Sequence, residues 1–353
     1  MKLKITILSI ATFFSIAAMA GNEDRIGSAG STQLLINPWA RSSAWASSGG
    51  AHIKGLGALQ LNVAGLALAD KTEIEFTNTS WMQSTGIKLN SFGLAQRVGE
   101  SGVLGISMMT VNYGDIPITT TELPEGGLGT FSPTSFLLNL AYAKEFSASI
   151  SGGINIKILS EGIANAKANG VAFDAGVRYV TGERDHIKIG LALKNVGPPM
   201  KYKGDGFAIE TINPFTEIST TTEQRTANFE LPSLINISGA YDFLINENNS
   251  LTAAATFTSN SFQRDQFRVG AEYVLHAKKV IVMIRAGLVY EKGTFSAIET
   301  QSALSGPSAG ISIDMPFGKN ESTLGVDYSF RNAPVLGAIH GIGIRLNLGE
   351  DEE

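Results

Sequence analysis

The sequence contains no cysteine, which excludes disulfides and thiolate chemistry. Beyond the first twenty residues, no stretch approaches the roughly 20 apolar residues that a membrane-spanning helix requires. Proline is scarce, at 11 residues, whereas glycine reaches 39. Glycine within strands suits tight curvature and close packing. These absences favour a β-rich chain that is stabilised by its own hydrogen bonds.

The first segment, 1–20, has the features of a secretory signal peptide. Lys2 and Lys4 give it a positive start, an apolar run covers 5–17, and Ala18-Met19-Ala20 fits the small-x-small cleavage rule. The apolar run is short for a membrane anchor. We therefore expect cleavage after this segment and a chain that leaves the cytoplasm.

Charge and histidine spacing argue against several classes of function. Removing Lys2 and Lys4 from the 27 basic residues leaves 25 against 32 acidic residues, a net charge of −7. This balance does not predict a nucleic-acid partner, which would need basic patches. The histidines are scattered without ligand spacing, and neither a phosphate-binding loop nor a nucleophile elbow is present. The sequence predicts no catalytic site, no cofactor and no metal site.

Alternation of apolar and polar residues is the strongest pattern in the chain. Ile154, Ile156 and Ile158 fall on one face of a strand, and Asn155 and Lys157 fall on the other. The same period of two predicts fourteen strands, at 71–79, 85–98, 102–113, 133–146, 148–160, 169–181, 186–196, 231–244, 249–258, 266–276, 279–291, 307–316, 321–330 and 340–349.

These strands predict an all-β fold, an antiparallel transmembrane β-barrel of about 14 strands over 71–353, with an acidic C-terminal tail. Long and short connections alternate, as outer-membrane barrels require, although alternation also fits a soluble all-β protein with one buried sheet face. We expect a Gram-negative outer membrane, contact with its lipid, and both termini in the periplasm. Charges on the lipid face are costly, so we place six in the lumen: Lys157, Asp174, Arg178, Lys188, Glu272 and Arg345.

The segment before the first strand, 21–70, has a different composition. It is rich in alanine, glycine and serine, and glycine pairs divide it into short pieces. We expect it to form a small plug inside the barrel, with Trp39 and Trp45 packed within it. Trp81 follows the first strand, where an aromatic residue of the membrane interface would lie.

Two long connections on the outer side, 114–132 and 197–230, are the candidate binding loops, because rigid scaffolds display binding residues on loops. Apolar residues in them suggest a contact surface for protein or lipid, although a lid folded over the lumen is an equal alternative. The candidates are Ile116, Pro117, Leu123, Pro124, Pro198, Pro199, Met200, Tyr202, Phe207 and Phe215.

The order of several short motifs resembles one family of barrels. Leu34–Arg41 (LLINPWAR), Ser47–Ala51 (SSGGA) and Leu61–Ala67 (LNVAGLA) resemble the opening of the PorV/PorQ family, which is related to FadL-type barrels. Phe173–Tyr179 and Leu193–Gly197 resemble barrel segments of that family. Val63 stands where the family motif has proline.

The resemblance implies a non-enzymatic accessory protein of type IX secretion, found in Bacteroidetes-type bacteria. Its implied partners are a large outer-membrane translocon barrel, secreted proteins with C-terminal signal domains, or both. The alternative is a FadL-like transporter of hydrophobic small molecules, which predicts an apolar pocket near the plug. A general porin is a third and weaker reading, because the plug argues against an open pore.

Overall fold

A computed structural model describes residues 23–215, 217–296, 304–318, 322–333 and 337–349. The predicted signal peptide, 1–20, and the end of the acidic tail, 350–353, lie outside the described residues. Fourteen strands form a closed antiparallel barrel, as the alternation predicts. The barrel strands are β1 (Thr72–Ser80), β2 (Lys88–Val98), β3 (Gly102–Asn112), β6 (Thr134–Ser147), β7 (Ile150–Ile163), β8 (Ala166–Thr181), β9 (Ile187–Val196), β12 (Leu234–Asn246), β13 (Asn249–Asn260), β14 (Gln266–Ala277), β15 (Val280–Tyr290), β16 (Gly306–Pro316), β17 (Thr323–Ala333) and β18 (Gly337–Leu348).

Two small hairpins lie outside the barrel wall, in the two long connections. The first pairs β4 (Ile116–Pro117) with β5 (Thr130–Phe131). The second pairs β10 (Ala208–Ile212) with β11 (Ser219–Glu223).

The ring closes between the first and last strands, where Thr72 pairs with Leu348 and Ser80 with His340. No predicted barrel strand differs from the observed one by more than three residues at either end. Predicted and observed strands agree because successive side chains of a strand point to opposite faces. Alternating apolar and polar residues therefore place apolar side chains toward lipid and polar side chains toward the lumen. In this closed ring the strands pair on both sides, so the backbone polar groups of the wall are satisfied without water.

The connections sort by length between the two ends of the barrel. The end with the β2–β3, β6–β7 and β12–β13 turns, which are a few residues long, is the short-turn end. The opposite end, the long-loop end, carries the connections that contain both hairpins. One predicted long connection, 161–168, is wrong: β7 and β8 remain paired up to Ile163 and Ala166, which leaves a two-residue turn.

The N-terminal segment of residues 23–70, the plug, fills part of the barrel interior with short helical turns. They are Glu23–Arg25, Thr32–Leu35, the α-helix α1 (Ala40–Ser43), Gly55–Ala58 and Val63–Leu68. Trp39 and Trp45 are buried among them. Asn62 caps the last turn by accepting a hydrogen bond from the Ala64 amide, and its own amide donates to Val177 O on the wall.

Side chains that point out of the barrel are mostly apolar and exposed. Phe92, Ile154, Leu191 and Ile344 are examples, each more than two-fifths exposed. Such a band matches the apolar outer face of a membrane-spanning barrel. No helix in the described part of the chain is long and apolar enough to cross a membrane.

Candidate functional site

The predicted lumen charges are all buried on the inner face of the wall, and several of them contact the plug. Arg178 donates its Nε–H to Ala51 O at 2.8 Å. Lys188 pairs with Asp242, and its Nζ lies 2.9 Å from Nδ1 of His52. The plug therefore supplies both backbone and side-chain partners to the charges of the wall. Near the short-turn end, hydrogen bonds and ion pairs connect the plug to the wall.

His52 is the centre of that network. Its Nε2 lies 3.2 Å from Glu272 Oε1, and its Nδ1 lies 3.4 Å from Asp242 Oδ1. Glu272 in turn accepts a hydrogen bond from Arg285 Nε at 2.5 Å. The scattered histidines gave no sign of this role, because the contact joins residues 220 positions apart in the sequence.

A second cluster surrounds Arg345. Its guanidinium lies 3.8 Å from Asp327 on the neighbouring strand β17 and 2.7 Å from Asp314 on β16, one strand further along the wall. Asp327 also accepts a hydrogen bond from the Ser312 hydroxyl, which accepts one from Arg285. The two clusters are therefore continuous around part of the wall.

A third pair fills an irregularity in the wall. The register of β8 and β9 shifts between Phe173 and Ala175, and Asn195 adopts a left-handed backbone with φ of 60°. Lys157 is fully buried there, 2.7 Å from Asp174 and 2.7 Å from Asn195 Oδ1. The charge pair thus occupies the space that the bulge opens on the inner face.

Above these clusters, at the long-loop end, a cavity of about 500 Å³ separates the plug from the wall. Its position follows from its lining, because Val111, Leu234 and Val289 all belong to the ends of strands that lead into or out of the long-loop connections. Ile36 and Leu61 line the cavity from the plug. Lys194, Arg268 and Arg331 line it from the wall.

Trp81 also lines this cavity and is buried. Its predicted place in the aromatic belt of the membrane interface is wrong. The chain turns inward after β1, so that Trp81 belongs to one buried apolar cluster with Leu89 and Ile339, and its ring lies 6.0 Å from the Arg331 guanidinium. The place of Trp81 directly after β1 correctly predicted that it lies at one end of the barrel. It did not predict that the side chain points into the interior.

The candidate loop residues fall into two groups. Ile116, Pro117, Leu123, Pro124, Pro198, Pro199 and Phe215 are exposed, whereas Tyr202 and Phe207 are half-buried. Met200 is the exception, at 2% exposed, so its expected place on an outer contact surface is wrong. Its backbone forms a bridge with Phe229, and its side chain packs over Gly170 of β8, where an added Cβ would lie 2.4 Å from the sulfur.

Tyr202 anchors the same loop to the wall. Its hydroxyl donates to Glu161 at 2.7 Å. Burial, together with this carboxylate, raises the pKa of Tyr202 far above its ordinary value, so the phenol remains a donor at any physiological pH. The base of the loop is therefore fixed, and its freely exposed part is the β10–β11 hairpin.

The tip of that hairpin is strongly exposed and apolar. Phe215 is 95% exposed, and Ile212 and Ile218 are 71% and 62% exposed. The three side chains lie within seven residues of sequence, so they form one apolar tip at the long-loop end. An exposed apolar surface of this kind is a candidate contact for protein or lipid.

Comparison with known proteins identifies the fold but not a family. No protein-family model matches the chain, and no curated protein matches it. The solved structures of similar fold include the CymD monoaromatic hydrocarbon channel, which matches 90% of this chain and 99% of its own at 10% identity, with a TM-score of 0.54.

Two further barrels agree with this result. The Pseudomonas putida toluene transporter TodX matches 88% of this chain and 97% of its own at 11% identity, with a TM-score of 0.53. A Pseudomonas aeruginosa FadL homologue matches 87% and 96% at 12% identity, with a TM-score of 0.50. The narrower resemblance to PorV/PorQ stays a prediction. At these identities the likeness shows the architecture alone: the chain adopts the barrel fold of FadL-type outer-membrane proteins.

Proposed function

We propose that the protein is an outer-membrane channel for small hydrophobic molecules, which it binds in the cavity between the plug and the barrel wall. That cavity is the observation that carries the proposal. Its volume of about 500 Å³ lies within the range of known ligand pockets. The fold supports the same substrate class, because barrels of similar structure include a monoaromatic hydrocarbon channel and a toluene transporter.

The orientation follows from the loops. Outer-membrane barrels have short periplasmic turns and long extracellular loops, so we place the long-loop end outside the cell. The cavity then lies on the side from which a nutrient arrives. In this orientation the barrel wall begins and ends at the periplasmic side, because Thr72 and Leu348 pair at the short-turn end. The described start of the plug lies at the other end, where Arg25 pairs with Glu230 of a long connection, so the expected periplasmic N-terminus stays a prediction.

A matched pair of tryptophan variants tests the proposal. Val289 is buried and lines the cavity, whereas Val269, on the neighbouring strand, points outward and is half exposed. Uptake of the neutral aromatic probe N-phenyl-1-naphthylamine is measured in cells that carry each variant. We expect Val289→Trp to slow uptake to the level of cells without the protein and Val269→Trp to leave it unchanged. Equal uptake by wild type and Val289→Trp would show that the cavity is not the route.

The apolar hairpin tip favours a second candidate function, that of an accessory component of type IX secretion. In this reading, Ile212 and Phe215 contact a large translocon barrel or secreted proteins with C-terminal signal domains. A tagged protein is purified gently from its native outer membrane, and its partners are identified by mass spectrometry. The double variant Ile212→Ser/Phe215→Ser should lose them, and the exposed control Thr221→Ser should keep them. Wild-type protein that is recovered without either class of partner rejects this role.

A further inference from the structure

The outward face of the wall carries a polar patch at the long-loop end of its first three strands. Asn78 of β1, Asn90 of β2 and Thr110 of β3 pair with one another in one row across the sheet, and alternation points all three side chains outward. The flanking strands place apolar residues in the same row, Ile342 of β18 and Phe136 of β6. The patch therefore interrupts the apolar outer band at this part of the wall.

The row nearest to the long loops adds a cation and an imidazole to the patch. Ser80 pairs with Lys88 on one side and with His340 on the other, so the backbones of the last two lie about 10 Å apart. Lys88 is exposed and forms no ion pair with the described residues. The described outward side chains of β1, β2, β3, β17 and β18 include no carboxylate, so the patch is positive.

The polar groups of the patch keep free hydrogen-bonding capacity. Asn78 Nδ2 donates to Asn90 Oδ1 at 2.7 Å, which leaves the carbonyl of the first amide and the donors of the second to other partners. The Tyr328 hydroxyl lies 2.9 Å from Nδ1 of His340, and when it donates there the imidazole keeps an Nε2–H donor. Polar groups on the outside of a membrane barrel are costly unless water or a lipid headgroup satisfies them.

An apolar groove lies on the same side of the wall, next to the patch in the direction of the short-turn end. Its volume is about 370 Å³. It is lined mainly by Leu94, Leu104, Ile106, Leu140, Ile154 and Ile156. Along their described lengths, β2 pairs with β3 and β3 with β6 without a shift in register, so the wall beneath the groove is closed.

The distance between patch and groove matches the dimensions of one lipid. Asn90 and Leu94 are four residues apart on β2, which is about 13 Å of extended strand. One leaflet is about 15 Å of the roughly 30 Å hydrocarbon core of a bilayer. An acyl chain that lies in the groove therefore has its headgroup at the level of Asn90 and Lys88.

We infer that this face of the barrel binds a lipid that has an anionic phosphate headgroup. The phosphate lies at Lys88 and His340, the two asparagines bind oxygens of the headgroup, and one acyl chain packs in the groove. With the long-loop end outside the cell, the lipid belongs to the outer leaflet. The site lies on the outer face of the wall, apart from the cavity beside the plug, so it goes beyond the proposed transport function.

Two lipids with the same acyl chains test the role of the headgroup. Dimyristoylphosphatidylglycerol is anionic, and dimyristoylphosphatidylcholine has no net charge. Each is titrated against the full-length protein in detergent, and native mass spectrometry measures the lipid bound to the folded barrel. We expect the anionic lipid to bind about fivefold more tightly, since one lysine near a membrane surface contributes about that factor.

The variant Lys88→Gln assigns the preference to the patch. It should abolish most of the preference for the anionic lipid and change binding of the uncharged lipid by less than about twofold. Lys167→Gln, which removes an exposed cation at the long-loop end of β8, is the matched control and should keep the preference.

A pair of tryptophan variants tests the groove. Ile106→Trp fills the groove and should weaken binding of both lipids by at least about threefold, because the acyl chain loses its packing contacts. Ile237→Trp, at an outward and half-exposed position of β12, should change neither. Heat-modifiable electrophoretic mobility verifies that every variant is folded.

The remaining outcomes overturn the inference. Equal affinity of the wild-type protein for the two lipids, or a preference that folded Lys88→Gln retains in full, rejects the headgroup site. Equal effects of the two tryptophan variants reject the groove as the place of the acyl chain. None of these results touches the proposed transport function, because uptake through the cavity does not involve the outer face of β2 and β3.

Discussion

The two ends of the barrel interior use charge in opposite ways. Toward the short-turn end, Lys188, Asp242, His52, Glu272 and Arg285 form one chain of contacts between plug and wall, in which each charge meets its opposite. At the long-loop end, Lys194, Arg268 and Arg331 line the cavity, and none of these three forms an ion pair with a carboxylate among the described residues. Ion pairs and His52 therefore join the plug to the wall toward the short-turn end, whereas the cations at the long-loop end border a cavity.

The largest expected effect tests whether the paired end is held by its charges. Glu272→Leu removes the carboxylate from both Arg285 and His52, and leaves the Arg285 guanidinium buried without its acid. We expect the free energy of unfolding to fall by about 3–5 kcal/mol. Guanidinium unfolding of the detergent-solubilised protein measures the change.

The double variant Glu272→Leu/Arg285→Met is the control for that prediction. It removes both charges, so the penalty for an unpaired buried cation disappears and the loss should be clearly smaller. If the single and double variants lose the same stability, the contact between the two side chains does not govern this end of the barrel.

The next effect tests how tightly the plug is seated. An added Cβ at Gly287 would lie 2.4 Å from the Trp45 carbonyl carbon, within the plug backbone. Gly287→Ala should cost about 1–3 kcal/mol, because backbone can yield only by shifting the plug. Gly239→Ala is the matched control on an outward-facing position with no atom within 4 Å. An equal effect of the two changes would mean that the plug moves freely against the wall.

A smaller effect is expected for the histidine at the centre of the network. His52→Ala removes the contacts to Glu272 and Lys188 but leaves both neighbouring ion pairs in place. We expect a loss of about 1–2 kcal/mol in the same unfolding measurement. His276→Ala, at an exposed position near the short-turn end, should stay within about 0.5 kcal/mol of wild type. A negligible effect of His52→Ala would show that the plug is held by packing alone.

The smallest expected change in stability tests the contrast between the two ends of the barrel interior. Arg331→Met removes a buried cation without an ion-pair partner in the described chain, so stability should rise or change by less than about 1 kcal/mol. Arg345→Met, which strips Asp314 and Asp327 of their cation, should destabilise by about 3–5 kcal/mol. Comparable losses from the two variants would mean that Arg331 has a partner, and the contrast would fail.

Sequence pattern predicted the wall because each strand residue has only two possible directions. Lys157, Asp174 and Lys188 were placed in the lumen by alternation alone, and all three lie buried on the inner face. Loop residues have no such constraint. Met200 and Trp81 were therefore misplaced: the pattern showed them as apolar and near a strand end, which fits an exposed contact and a buried one equally well.

For a related reason, the sequence did not predict which residues would contact each charged side chain. His52 contacts Glu272 from a distance of 220 positions, and Lys194 meets Gln60 from 134 positions away. Such contacts depend on the height at which the plug sits and on the stagger of fourteen strands. No local signal encodes either quantity, and a shift of one residue would bring different side chains together.

The sequence by itself determined the all-β class, the approximate positions of the fourteen strands, the apolar outer face and the charged lumen, because the period of two is a local property of extended chain. Only the tertiary structure decided where the plug lies, which charges meet and where a cavity remains. These depend on ring closure, which fixes the interior volume that plug and side chains must share. The unfilled part of that volume, bordered by Lys194, Arg268 and Arg331, is the cavity on which the proposed transport function rests.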